Sequence, residues 1–272
     1  MNQVAQHYAE RGRLLDRIAE GLARMGKTLD DATTEDLAAV DEFHIRGRKA
    51  TLELAEGMAL SASSRVLDLG SGLGGPARTL AEAYGCHVTG IDLTPEFCEA
   101  ATVISERLGL ADRVAFVEGD ATDLPFADAT FDAAMTIHVA MNIAAKDRLY
   151  AEAHRVLKPG GRFAVYDIMQ GDGGGILYPV PWARDATISF VATPGEVEAL
   201  LIAAGFKVLE RRDSSEESIA WFKALADASA LNGPPPLSLA AILGEGRKDM
   251  VRNQVVNLTE RRTRTVAFLC EA

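Results

Sequence analysis

From Arg65 onward, short apolar runs alternate with longer stretches in which apolar residues recur at helical spacing. The runs are VLDL (66–69), HVTGI (87–91), VAFVE (114–118), FDAAMTI (131–137), RFAVYDI (162–168) and FKVLE (206–210). Between them, 76–84, 95–108, 147–157 and 194–204 are each long enough for a helix. Such alternation predicts parallel β-α-β units and an α/β fold with a Rossmann-like, doubly wound sheet. Residues 1–60 are polar and helix-favouring. One amphipathic stretch includes Leu14, Leu15, Ile18 and Leu22, and a second runs from Thr33 to Met58, which together predict an N-terminal helical cap. After Arg211 the alternation stops: 214–231 reads as helix, Gly233-Pro-Pro-Pro236 as a rigid loop, and RTVAFLCEA (264–272) as a closing strand. The expected organisation is a single domain over 1–272, with the cap at 1–60, a cofactor-binding core at 61–212, and a helical insertion plus closing strand at 213–272.

The joints carry matching local chemistry. Pro76 and Pro95 fall in the first turn of a helix, where a missing N–H costs nothing. Thr193-Pro-Gly-Glu196 reads as a capping box, and Leu157-Lys-Pro-Gly-Gly161 as a helix stop that turns into the next strand. Gly171-Asp-Gly-Gly-Gly175 reads as a flexible hinge and not a phosphate loop, because no helix clearly opens behind it.

Composition narrows the class. The chain is 48% hydrophobic and 25% charged, with a formal net charge of -11, so its overall field repels nucleic acid and anionic lipid. Cys86, Cys98 and Cys270 show neither disulfide nor zinc spacing and read as core residues. The charged N-terminus lacks a signal-peptide core, and no apolar run approaches the roughly 20 residues of a bilayer span. The expectation is a soluble, cytoplasmic protein with no membrane and no nucleic-acid partner.

The chemistry concentrates at strand ends. In Val66-Leu-Asp-Leu-Gly-Ser-Gly-Leu-Gly-Gly-Pro76 a buried strand runs into a glycine turn and a helix. Gly70, Gly72 and Gly75 fit G-x-G-x-x-G, which also admits an NAD-type oxidoreductase. Asp68 argues for another ligand. A carboxylate beside that turn disfavours a pyrophosphate and favours the α-ammonium of S-adenosylmethionine, directly or through water. Its alternative role is to accept hydrogen bonds from turn amides. Asp92, closing the second strand, suits a ribose diol, or a helix cap ahead of Pro95; Leu93 would then lie against adenine. Asp120, after the third strand, suits the exocyclic amine of adenine, with the Ala121 N–H meeting the ring.

These elements resemble the class I S-adenosylmethionine-dependent methyltransferases, in particular the small-molecule group called methyltransferase type 11. The resemblance covers about residues 43–210 and rests on VLDLGSGLGG, the acid in GIDLTPE, EGDATDLPF, FDAAMTIHVAMNI and RVLKPGGRFAVYD. It implies a seven-stranded sheet with an antiparallel last strand. It also implies cofactor contacts at Asp68, Gly70, Ser71, Gly72, Asp92, Leu93, Asp120, Ala121 and Ile137. VAQHY at 4–8 resembles a segment of sarcosine/dimethylglycine-type enzymes whose tyrosine closes over the cofactor, here Tyr8. In similar enzymes the segment carrying His44 and Arg46 passes near the methionine carboxylate, and surface roles for both are the alternative.

Methyl transfer from a sulfonium needs alignment, exclusion of water and a free lone pair on the acceptor. His138, just past the fourth strand, is the candidate catalytic residue, able to orient an acceptor or take its proton; a structural histidine is the alternative. Asn142 is a candidate acceptor contact or a loop cap. Tyr178, Trp182 and Phe190, within ILYPVPWARDATISF (176–190), are the candidate acceptor wall; packing against the cap is their alternative. No compact acid cluster beyond the cofactor set suggests a metal. The function expected is methyl transfer from S-adenosylmethionine to a small-molecule acceptor; the alternatives are the NAD-type oxidoreductase and a protein that binds S-adenosylmethionine without transferring it.

Overall fold

The computed structural model describes residues 14–238 and 246–272. Helices α1 (Leu14–Arg24), α2 (Thr34–Asp41) and α3 (Gly47–Glu56) precede the sheet. The core follows as β1 (Arg65–Leu69), α4 (Gly75–Tyr84), β2 (His87–Asp92), α5 (Pro95–Arg107), β3 (Val114–Glu118), β4 (Phe131–Ile137), α6 (Lys146–Val156) and β5 (Leu157–Gln170). Then come α7 (Pro194–Ala203), β6 (Lys207–Asp213), α8 (Ser215–Asn232), α9 (Arg247–Thr259) and β7 (Thr263–Glu271).

The seven strands lie in the order β3-β2-β1-β4-β5-β7-β6. Strands β1 to β5 pair in parallel, while β7 runs antiparallel to both β5 and β6. The strand expected to close the sheet therefore inserts between its neighbours and leaves β6 on the edge. Strand order reverses between β1 and β4, so their carboxyl ends diverge into a crevice where a ligand can enter.

Period-two alternation explains why both faces are covered. Leu67, Leu69, Phe163 and Val165 bury one face against Leu149, Tyr150, Val197 and Leu201 of α6 and α7. Val66, Ala133, Met135, Ala164 and Tyr166 bury the other against Ala50, Ala55, Ala77 and Leu80 of α3 and α4. The cap docks on α5, where Ile18, Leu22, Leu37 and Val40 meet Phe97, Ala100 and Ile104.

Three local expectations change. The helix predicted over 33–58 breaks at Glu42, whose buried carboxylate accepts from the Thr51 hydroxyl at 2.5 Å and from the Thr79 hydroxyl. Arg46 then takes a left-handed φ of 71° before α3 begins. Residues 157–161 already belong to β5, since Leu157 pairs with Phe131 and the Gly160 N–H donates to the Ala272 carbonyl at 2.8 Å. The glycine stretch 171–175 is pinned instead of hinged. The Gly171 and Gly173 N–H groups each donate at 2.9 Å, to the Arg262 and Arg261 carbonyls, and a Cβ on Gly171 would stand 1.9 Å from the Arg261 carbonyl oxygen. The capping box is present as read: Thr193 accepts from the Glu196 N–H, and Glu196 accepts from the Thr193 N–H.

Arg78 of α4 ties the cap to the core. Fully buried, it donates to Asp41 Oδ2 at 2.7 Å, to the Leu73 carbonyl at 2.6 Å and to Ser105 at 3.0 Å. Truncating one member of such a pair strands the other charge in a dry interior. Arg78→Met should lower stability by about 3 kcal/mol, read as the shift in urea-unfolding free energy at unchanged m-value.

Candidate active site

A cavity of about 380 Å³ opens at the carboxyl ends of β1, β2, β3 and β4, within the range of small-molecule sites. Its lining joins Gly70, Ser71 and Gly72 from the β1 turn, Asp92, Leu93 and Thr94 after β2, Asp120 and Ala121 after β3, and Ile137, His138 and Val139 after β4. Asn142 and Phe190 also reach it. Residues expected from five separated stretches thus meet around one space.

The β1 turn is shaped by contact as well as conformation. Gly70 has φ 76°, and a Cβ there would lie 2.4 Å from Val139 Cγ2. Only glycine lets the β1 and β4 loops close together at the crevice. Asp92 holds the same turn from the side. Its Oδ2 accepts from the Gly72 N–H at 2.8 Å and its Oδ1 from the Thr94 N–H at 2.9 Å. Thr94, not Asp92, occupies the N-cap of α5. A carboxylate offers about four lone-pair sites, so two amides leave acceptor capacity for a diol. Asp120 Oδ1 accepts from the Thr122 N–H and hydroxyl, both at 2.8 Å, which orients its carboxylate at the rim.

Asp68 stands apart from this lining. It is 2% exposed, and its Oδ2 has no hydrogen-bond partner. Burial pushes its pKa up to about 8, with the nearby Asp92 and Glu42 carboxylates adding to the effect. Burial likewise raises Glu42 to about 7 and lifts Asp92 and Asp41 above the ordinary carboxylate range, although Arg78 opposes the rise at Asp41. Four acids gathered with two arginines, Arg78 on Asp41 and Arg48 acting more weakly on Asp41 and Glu42, form a site short of positive charge. A pyrophosphate does not suit it; a ligand bearing an ammonium and a sulfonium does.

The histidines are held neutral. His138 has φ 54° and its N–H donates to the Tyr166 carbonyl at 2.8 Å. Its Nε2 is buried without a partner, and its ring lies 5.0 Å from Tyr166 and 5.9 Å from His44. Burial holds its pKa well below the usual value, with His44 lowering it further. Such an imidazole is a weak base, better suited to orient an acceptor than to take its proton at neutral pH. His44 lines the cavity, its Nε2 2.9 Å from the Gly47 carbonyl, and burial lowers its pKa to about 4. Arg46 turns away from the cavity and clasps both Glu53 carboxylate oxygens.

The expected aromatic wall is mostly core. Trp182 is 1% exposed, packs with Ile45, Met141, Ile168 and Leu258, and donates Nε1 to Ser189 at 3.0 Å. Tyr178 packs beside the same cluster. Neither lines the cavity; only Phe190 does. Polar ties draw the segment inward: Asn142 Nδ2 donates to the Trp182 and Ile188 carbonyls, while Asn253 and Asn257 of α9 donate to the Pro179 and Leu177 carbonyls. Asn142 is therefore a loop tie on the cavity wall. Tyr8 lies outside the described residues.

Sequence reasoning missed Asp41, Phe43, Ile143, Ala144 and Ala145, which also line the cavity. The apolar and alanine positions carry no signal of their own. Asp41 had one, an acid at the end of a capped helix, but its burial depends on Arg78, far along the chain.

The methyltransferase domain family matches residues 67–165. The methyltransferase GfsG of Streptomyces halstedii is 34% identical over 189 residues, 67% of either chain. A sterol 24-C-methyltransferase of Eremothecium gossypii is 34% identical over 191 residues, 62% of this chain but 48% of that protein, so the chain spans about half of that relative. Among solved structures, the [4+2]-cyclase SpnF superposes with TM-score 0.64 at 25% identity, covering 82% of this chain and 80% of that one. The chain belongs to the S-adenosylmethionine-dependent methyltransferase family.

Two predictions follow from the acid cluster and the glycine turn. A free aspartate ionises near pH 3.8, whereas Asp68 in the folded chain keeps its proton up to about pH 8. Between those values the folded state binds the extra proton, so stability falls as pH rises through the window and levels off above it. Asp68→Asn should flatten that decline and raise the melting temperature of the ligand-free protein at pH 8, while S-adenosylmethionine affinity falls at least tenfold by calorimetry. Asp92→Ala should likewise weaken S-adenosylmethionine at least tenfold, about 1.4 kcal/mol, and loosen the turn through the freed Gly72 N–H. Unchanged affinity in a folded variant removes Asp92 from the site.

Proposed function

We propose that this chain transfers the methyl group of S-adenosylmethionine to a small-molecule acceptor at the β1–β4 crevice. The observation that carries this reading is the buried, partnerless Asp68 carboxyl among Asp92 and Glu42, behind a glycine turn that admits close backbone approach. Asp68, Gly70, Ser71 and Gly72 would hold the methionine end, Asp92 and Leu93 the ribose and one adenine face, Asp120 and Ala121 the adenine edge, and Ile137 the side towards the reacting centre. Bound there, S-adenosylmethionine supplies an electrophilic methyl group on a sulfonium.

The remaining work belongs to the chain's own side chains. His138, fixed by its backbone bond to Tyr166, with its ring tilted against Tyr166 and edge-on to His44, orients the acceptor beside Ile137. Phe190 and the 139–145 segment exclude water from the acceptor's end of the cavity. Acids around the site draw a cation in and repel polyanions, which fits a small-molecule acceptor and not nucleic acid. Among the described residues, no helix is long and apolar enough to cross a membrane. The free, buried Cys86, Cys98 and Cys270 fit the reducing conditions of a cytoplasmic setting.

Similarity to a solved cyclase favours a second reading, in which the site binds S-adenosylmethionine without transferring its methyl group. Calorimetry with S-adenosylmethionine and with NAD, followed by a labelled-methyl assay over phenols, amines and isoprenoids, separates the cases. Micromolar binding of S-adenosylmethionine alone with label transfer is the expected result. Binding without transfer across the panel favours the second reading, and preference for NAD overturns both. His138→Asn retains a side chain that tolerates positive φ. It should cut kcat at least tenfold while the dissociation constant for S-adenosylmethionine stays within twofold.

A further inference from the structure

The charge of the acceptor can be read from what faces it. Among the described residues lining the cavity there is no arginine and no lysine; of its three acids, Asp41 is paired with Arg78, while Asp92 and Asp120 stand at the cofactor end. Cations next to the lining are committed elsewhere, Arg48 to Thr79 and Glu82 among them. Arg78 is shared between Asp41 and the Leu73 carbonyl. Lys146 donates to the Ile143 carbonyl at 2.7 Å and to the Phe190 carbonyl, so it staples two wall segments together from behind. Asn142, the amide on the wall, has its Nδ2 occupied by two carbonyls. What remains towards the acceptor, beside the His138 ring, is apolar: Val139, Ile143, Ala144 and Phe190, with Phe43 opposite the glycine turn.

From this lining we infer, taking the methyl-transfer reading as its basis, that the acceptor is an uncharged, largely apolar molecule bearing neither phosphate nor carboxylate. An anionic group entering the cavity would shed its hydration against apolar side chains, with no arginine or lysine of the described lining to receive it. A strongly basic amine fails for the opposite reason. It arrives protonated, without a lone pair with which to attack carbon, and the apolar wall offers it no free carboxylate to take that proton. A hydroxyl, an electron-rich double bond or a weakly basic aromatic nitrogen escapes both penalties, and the apolar wall rewards the body that carries it.

The test measures binding to the S-adenosylhomocysteine complex, so it does not depend on turnover. Calorimetry first establishes that S-adenosylhomocysteine binds; failure at that step counts against the methyl-transfer reading itself. Matched pairs then compete for the complex against an environment-sensitive apolar dye: farnesol with farnesyl diphosphate, and cholesterol with cholesterol sulfate. The expected result is that the neutral member of at least one pair binds at least tenfold tighter than its anionic partner. Ala144→Arg places a cation on the exposed rim of the wall and should narrow that preference about fivefold or more, with S-adenosylhomocysteine affinity unchanged. Equal or tighter binding of the anionic members, or no binding by any neutral one, overturns the inference.

Discussion

The structure turns on carboxylates held close together without enough positive charge. Asp68, Glu42 and Asp92 repel one another across the tips of β1 and β2, and burial deprives them of the water that would screen the repulsion. Left to itself, such a cluster keeps protons it would lose in solution. A cationic ligand relieves both penalties, so stability surrendered by the empty fold becomes selectivity for that ligand. Arg78 shows the contrast. It pairs with Asp41 as part of the structure, and it does not line the cavity.

Around this centre the fold supplies rigidity at few points. The turn after β1 is fixed by Asp92 through the Gly72 amide and by the close approach of Val139 to Gly70. The wall is fixed by Lys146 and Asn142, whose donors end on carbonyls of the loop that carries Phe190. The segment around Trp182 is anchored from behind by Asn253 and by its own apolar packing. Hydrogen bonds from buried side chains to loop carbonyls thus do the positioning that regular secondary structure does in the sheet.

The legible part of the site was the part with a local code. Glycine turns, acids at strand ends and proline at helix starts are consequences of backbone geometry within a few residues, and Gly70, Asp92 and Asp120 fell where that geometry put them. The acceptor wall had no such code. Tyr178 and Trp182 offered aromatic rings in the right neighbourhood, but which way a loop turns its rings depends on partners 40 to 80 residues away in the chain. Partners far along the chain also hid Asp41, and they decided that Gly171 and Gly173 are pinned by the carbonyls just before β7.

By itself the chain's pattern determined the alternation of strands and helices and the acids and glycines at the strand ends, because each follows from periodicity or from residues adjacent in sequence. Tertiary structure alone decided that β7 slots between β5 and β6, that Glu42 turns inward and breaks the cap helix, that His138 is buried as a neutral ring, and that Phe190 alone among the three predicted aromatics reaches the cavity. Those outcomes depend on competition among distant groups for the same buried volume and the same hydrogen bonds. No local window of sequence contains that competition.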